Sequence, residues 1–310
     1  MNDLTIGVTT VAFSSDLHLV DRLKEQSRYN VLINEKRKRF SQNELIDFLK
    51  QCDGAIVGLD QINEEVLAEC PRLKVLSKYG VGLDNIDFSA CEKFNVHVTY
   101  PQGVNKRSVS EEVLGYMLSL ARNIYVTSNR LKRNIWDKNG GWQLTGKTVG
   151  IIGVGHIGKD LIDLLKPFNC KILVNDIIDQ TEYYKKHDLI ESTKEDIYIN
   201  SDFITIHTPL TSLTKNLFNN DAFSVMKSSA IVINTARGEI VNLKDLKAAL
   251  IQGVIAGAAL DVYDEEPPKD LELIKQENLI CTPHIGGNAK EAVQAMGEAA
   301  IENLVKYFEG

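Results

Sequence analysis

The stretch Thr148-Val-Gly-Ile-Ile-Gly153-Val-Gly155-His156-Ile157-Gly158, TVGIIGVGHIG, decides how the rest of the chain is read. An apolar run passes straight into G-x-G-x-x-G, and residues 159–165 then carry a helical pattern. Each glycine has its own task in such a turn. Gly153 permits the tight bend, Gly155 lets a diphosphate approach the backbone, and Gly158 lets helix and strand pack closely. The start of the helix offers unpaired N–H groups and the positive end of its dipole to an anion. The glycine spacing alone is a weak signal. Here it has a strand before it, a helix after it, and an acid, Asp176, following the next apolar run. A carboxylate there bonds the ribose hydroxyls of a dinucleotide and repels a 2′-phosphate, which selects NAD over NADP.

Working outward from that turn, short apolar runs alternate with longer amphipathic segments. The expected strands are 4–8, 31–33, 55–57, 75–77 and 96–99, then 148–152, 171–174, 203–206, 231–234, 256–260 and 279–281. Several are almost continuously apolar, as parallel strands covered on both faces are. The intervening segments are long enough for crossover helices. The pattern predicts an α/β protein with two parallel sheets. The breaker cluster Tyr100-Pro101-Gln102-Gly103 ends the first. Ser108-Val-Ser-Glu111 fits a capping box. Val109, Val113, Met117, Leu120 and Ile124 share one helical face, which predicts a helix over 105–124. A loop over 134–146 and a final helix over 289–308 complete the reading. The expected domains are 1–101 with 288–310, and 102–287.

Composition excludes several classes. The 310 residues are 44% hydrophobic with a formal charge of -7, ordinary for a globular protein and unlike a nucleic-acid or anionic-membrane binder. The basic run Lys36-Arg37-Lys38-Arg39 reads as a solvated surface segment. No run approaches a membrane span, and the N-terminus lacks a signal-peptide pattern. The five cysteines are scattered with no CxxC pair, which predicts reduced thiols, a cytoplasmic setting and no metal site. The expectation is a two-domain protein without a C-terminal regulatory domain.

Three later segments bring chemistry to strand ends. Ile231–Gly238 delivers Arg237, Ala258–Pro267 delivers Asp261 and Glu266, and Leu279–His284 delivers His284. In an open parallel sheet, ligands bind outside the carboxyl ends of the strands. Reducing a 2-keto acid needs a hydride donor, a cation that clamps the carboxylate and polarises the carbonyl, and an acid that protonates the alkoxide. Histidine suits the last role near neutrality, and a carboxylate behind it orients the ring. Each group alone has an ordinary structural explanation; their conjunction downstream of a dinucleotide loop points to catalysis by Arg237, Glu266 and His284.

GVGHIG (153–158), HTPL (207–210), INTARGEIVN (233–242), AALDVYDEEP (258–267) and TPHIGG (282–287) together resemble the D-isomer-specific 2-hydroxyacid dehydrogenases over essentially the whole chain. The resemblance implies an NAD-binding Rossmann domain inserted in a discontinuous flavodoxin-like lid domain, and a homodimer. It implies Arg237 as substrate arginine, Glu266 as partner of the acid/base His284, and Asp261 at the nicotinamide carboxamide. It places Gly153, Gly155, His156, Ile157, Gly158, Asp176, His207, Pro209, Thr214, Thr235, Ala236, Arg237, Asp261 and His284 around the cofactor. Lys78, Gly80, Val81, Gly82 and Asn105, with Arg237 and His284, would meet the substrate. The substrate loop and residues 105–116 look most like the 3-phosphoglycerate dehydrogenase branch, with Lys78 as a phosphate ligand and 136–138 offered by a partner subunit. Glyoxylate/hydroxypyruvate reductases and sugar-acid dehydrogenases are the alternatives within the family. An NAD-sensing, non-enzymatic binding protein is the alternative outside it.

Overall fold

A computed structural model describes residues 4–26 and 29–310. The chain divides into two compact units, one of residues 1–105 with 290–310 and one of residues 106–289.

The first unit holds a five-stranded parallel sheet: β1 (Thr5–Val8), β2 (Asn30–Ile33), β3 (Gly54–Val57), β4 (Val75–Lys78) and β5 (His97–Thr99), in the order β2-β1-β3-β4-β5. β1, β3 and β4 are buried on both faces, so their apolar runs are unbroken. The terminal helix Lys290–Glu309 returns to this sheet, where Ala300, Ile301 and Leu304 join the core formed by Ile6, Val8 and Ile56. The Ser77 hydroxyl donates to the Ala300 carbonyl at 2.7 Å. Of the basic run, Lys36 and Lys38 both pair with Glu44, and Arg39 donates to the Leu59 carbonyl.

The second unit holds β6 (Thr148–Ile152), β7 (Lys171–Asn175), β8 (Ile190–Glu191), β9 (Phe203–Ile206), β10 (Ile231–Asn234), β11 (Gly257–Leu260) and β12 (Leu279–Cys281). They form one parallel sheet in the order β12-β11-β10-β9-β6-β7-β8. Strand order reverses between β6 and β9, the switch point of a doubly wound sheet. Two cores cover its faces, one built on Ile204, Val232 and Phe218, the other on Val149, Ile151 and Met117. The helix Lys106–Ala121 packs on the helix His156–Leu165, with the Ser110 hydroxyl donating to the carbonyls of Lys106 and Ile157.

The helical boundaries correct two expectations. Ser108 does not cap: it lies inside the helix, and its hydroxyl donates to the Gly286 carbonyl at 2.5 Å. The helix also stops at Ala121. Asn123 takes a left-handed conformation, and a separate helix, Ile124–Lys132, follows where none was expected. None of its residues is buried, so it leaves no apolar stripe to read. The edge strand β8 was likewise unexpected; both its residues are exposed.

Candidate active site

All seven strands of the second unit are parallel, so the segments that follow them share one sheet edge. The glycine turn opens that edge. Gly153 has a φ of +97°, and a side chain there would strike the His207 carbonyl at 2.5 Å. Gly158 lies so close to the Gly153 carbonyl, 2.3 Å from where a Cβ would sit, that the helix could not start otherwise. Gly155 caps the helix His156–Leu165 and faces open space. Asp176 follows β7 and closes the turn: Oδ2 accepts from the Val154 N–H at 2.7 Å, and Oδ1 from the Ile178 N–H.

Beyond β9, burial drives the His207 pKa down to about 3, so the ring is neutral. Its Nε2 lies 3.0 Å from the Thr205 hydroxyl. His207 Nδ1, Thr208 Oγ1 and Thr235 Oγ1 are buried without hydrogen-bond partners. Buried polar atoms are normally satisfied, so three orphans along one edge indicate groups awaiting a polar ligand. With the open space at Gly155, the edge fits a dinucleotide. Pro209 follows, and the Thr214 hydroxyl donates to its carbonyl at 2.7 Å.

The turn after β10 is built by Asn234, fully buried, which accepts from the Ala236 N–H and donates to the Arg237 carbonyl. It ends in Arg237, whose guanidinium also donates to the Ala236 carbonyl at 2.6 Å. Gly238 is obligatory there, because a Cβ would fall 1.9 Å from the Tyr263 carbonyl carbon. The segments after β11 and β12 bring Glu266 and His284 together: the carboxylate oxygens lie 2.9 and 3.1 Å from Nδ1. A carboxylate acceptor puts a hydrogen on Nδ1 and leaves Nε2 as the nitrogen free for proton exchange. His284 adopts a φ of +55°, unusual for a residue with a side chain. Asp261, nearly fully buried, secures the next turn by accepting from the N–H groups of Ile285 at 2.8 Å and Gly286 at 2.7 Å.

Three side chains with no assigned role form a chain that ends on Asp261 here. Thr282 donates to Asp261 Oδ1 at 2.6 Å and lies 2.5 Å from the Tyr116 hydroxyl, which in turn lies 2.7 Å from Glu112 Oε1. The only sequence trace of this cluster is an acid and a tyrosine four residues apart beside an apolar helical face.

In the first unit, Lys78 is not on the surface. Its ammonium is buried, bonded to the Gly58 carbonyl and, at 2.7 Å, to Asn85 Oδ1. The following turn contains Gly80 at a φ of +116°, with Val81 and Gly82 half-buried, and Asn105 is buried at the end of the unit. Among the described residues, no cluster suited to a metal is found, and no helix is long and apolar enough to cross a membrane.

A doubly wound sheet with a glycine turn at its switch point, and an arginine and a histidine–carboxylate pair along the same edge, defines a dinucleotide-binding protein equipped for acid–base chemistry. The chain belongs to the D-isomer specific 2-hydroxyacid dehydrogenase family: the family's NAD-binding domain profile matches residues 114–286. It is 36% identical to a D-3-phosphoglycerate dehydrogenase of Methanocaldococcus jannaschii, over 87% of this chain and 52% of that protein. It thus spans about half the length of that relative. It is 32% identical to a glyoxylate reductase of Pyrococcus furiosus, over 94% of this chain and 89% of that one. The structure of a D-lactate dehydrogenase from Aquifex aeolicus, complexed with NAD and lactic acid, superposes with a TM-score of 0.85 at 26% identity, covering 99% and 96% of the two chains.

Proposed function

We propose that the protein interconverts a small 2-keto acid and its D-2-hydroxy acid with NAD. The observation that carries this reading is the Glu266–His284 pair on the same sheet edge as the glycine turn and Arg237. When bound, NAD supplies or accepts the hydride. His156 and Ile157 in the helix start, Pro209, Thr214, Thr235 and Ala236 would line its site. Asp176 would take the ribose hydroxyls and Asp261 the carboxamide. Arg237 would neutralise the substrate carboxylate and polarise the carbonyl, a bidentate task suited to a guanidinium. His284 Nε2 would deliver the proton to the alkoxide oxygen, while Glu266 holds the ring and balances its charge.

In the first unit, the backbone N–H groups of Gly80, Val81 and Gly82 would hold the substrate carboxylate, with Asn105 nearby in that role. Lys78 braces this loop from beneath through Asn85 and Gly58, which argues against direct contact with a phosphate. The likeness to phosphoglycerate dehydrogenases supports a phosphorylated three-carbon acid. The buried Lys78 and the near full-length glyoxylate reductase match support glyoxylate or hydroxypyruvate.

A homodimer is part of the same reading. Trp136, 78% exposed, and Ile124, Leu131 and Ile135 form an apolar groove on the second unit that a second copy would cover. The setting is cytoplasmic, as five unpaired cysteines favour. NADH oxidation measured with glyoxylate, hydroxypyruvate and 3-phosphohydroxypyruvate tests the substrate. Preference for the phosphorylated acid would restore a phosphate site; no turnover with any 2-keto acid, despite NADH binding, would favour the non-enzymatic alternative.

A further inference from the structure

The cluster behind the His284 turn poses a problem of proton counting. Three oxygen–oxygen contacts run in series: Glu112 Oε1 to Tyr116 Oη at 2.7 Å, Tyr116 Oη to Thr282 Oγ1 at 2.5 Å, and Thr282 Oγ1 to Asp261 Oδ1 at 2.6 Å. Contacts that short each require one hydrogen. Tyr116 and Thr282 supply one apiece, so a carboxyl must supply the third. Asp261 is already met by three donors: Thr282 and the backbone N–H groups of Ile285 and Gly286. Among the described residues Glu112 has no N–H donor: only the Tyr116 and Thr282 hydroxyls reach its Oε1, at 2.7 and 3.5 Å. Its Oε2 is buried without a partner and lies against Gly286, where a Cβ would be 2.6 Å from it and 3.0 Å from Asp261 Oδ2.

We infer that Glu112 carries the third proton and is a positioning residue for the His284 turn. The chain then runs in one direction: Glu112 donates to Tyr116, Tyr116 to Thr282, and Thr282 to Asp261. Asp261 grips the two amides after His284 and holds its left-handed backbone. Loss of the Glu112 proton leaves two hydrogens for three contacts. One link must open, and two carboxylates then face each other across Gly286. The groups that face Glu112 are Tyr116 on its own helix, Asp261 after β11, and Thr282 and His284 after β12. Tyr125 and Lys132 of the helix Ile124–Lys132 line the open side with it. Burial, reinforced by the Asp261 charge, raises the Glu112 pKa from 4.5 to about 7, so the proton leaves within a working pH range. Thus the turn that positions the acid is tied to a titrating group far from it in sequence.

This inference rests on the proposed acid–base role of His284 for its catalytic consequence, but the protonation itself can be read without turnover. Infrared difference spectra of the full chain against Glu112→Gln should show a protonated-carboxyl carbonyl band at pH 6 that disappears by pH 9. In the reducing direction, kcat/KM of the unmodified protein should fall about ten-fold more between pH 6 and 9 than that of Glu112→Gln, the size of one lost hydrogen bond. The glutamine amide supplies its hydrogen at every pH. Tyr116→Phe cuts the chain at another link and should lose the same extra fall. Absence of the band, or parallel pH profiles in all three proteins, would overturn the inference. A band without turnover would uphold the protonation and indict the catalytic reading instead.

Discussion

Replacing Glu112 by glutamine should change how stability depends on pH, in a direction fixed by linkage. In the unfolded chain this carboxyl releases its proton near 4.5, whereas in the fold it holds it to about 7. Between those values the folded state binds a proton that the unfolded state does not, so stability is lost as pH rises through the window and stays lower above it. At about 1.4 kcal/mol per pH unit the ceiling is about 3.5 kcal/mol. Glu112 is only partly buried, and solvent screening brings the expected loss to about 2 kcal/mol. His207 works in the opposite sense: burial lowers its pKa from 6.5 to about 3, so its contribution is complete above 6.5 and lost as pH falls. It is common to both proteins and cancels in the difference. Both tryptophans, Trp136 and Trp142, lie in the unit that contains Glu112, so fluorescence-detected urea unfolding reads that unit. The stability of Glu112→Gln relative to the unmodified chain should rise by about 2 kcal/mol from pH 4 to pH 8. A constant difference across that range would refute the assigned protonation.

Three further outcomes are expected. Gly238→Ala should destabilise the second unit by about 3 kcal/mol in the same unfolding assay, because the new methyl meets Tyr263 backbone and no rotamer can relieve it. Asp176→Ala should narrow the preference for NADH over NADPH by about ten- to a hundred-fold in fluorescence titrations, the value of hydrogen bonds to a charged group; unchanged discrimination would mean the acid points elsewhere. Trp136→Asp should shift a dimer toward monomer in sedimentation velocity, since it places a charge in the exposed apolar groove.

How far the sequence reveals this molecule follows from what each feature depends on. Strands such as β9 and β10 are buried on both faces, so continuous apolar runs mark them. The strand β8 has no such run because its residues are exposed at a sheet edge. The helix Ile124–Lys132 is hidden for the same reason, and Ser108 mimics a cap because its hydroxyl serves Gly286, 178 residues away in the chain. The arginine, glutamate and histidine stand out because strand ends in a parallel sheet converge on one edge. The Glu112–Thr282 contact joins residues 170 apart, and nothing in local spacing reports that meeting. Lys78 is legible in the sequence as a lysine beside a glycine turn, but its bonds to Gly58 and Asn85 are tertiary contacts that local spacing does not report.

In the proposed reaction His284 delivers the proton. The most direct test of this role is the rate of NADH oxidation by a 2-keto acid in His284→Ala, measured beside NADH affinity. Turnover should fall about 10²–10⁴-fold, the usual worth of a general acid, with NADH binding largely intact. Near-normal turnover in that variant would contradict the role.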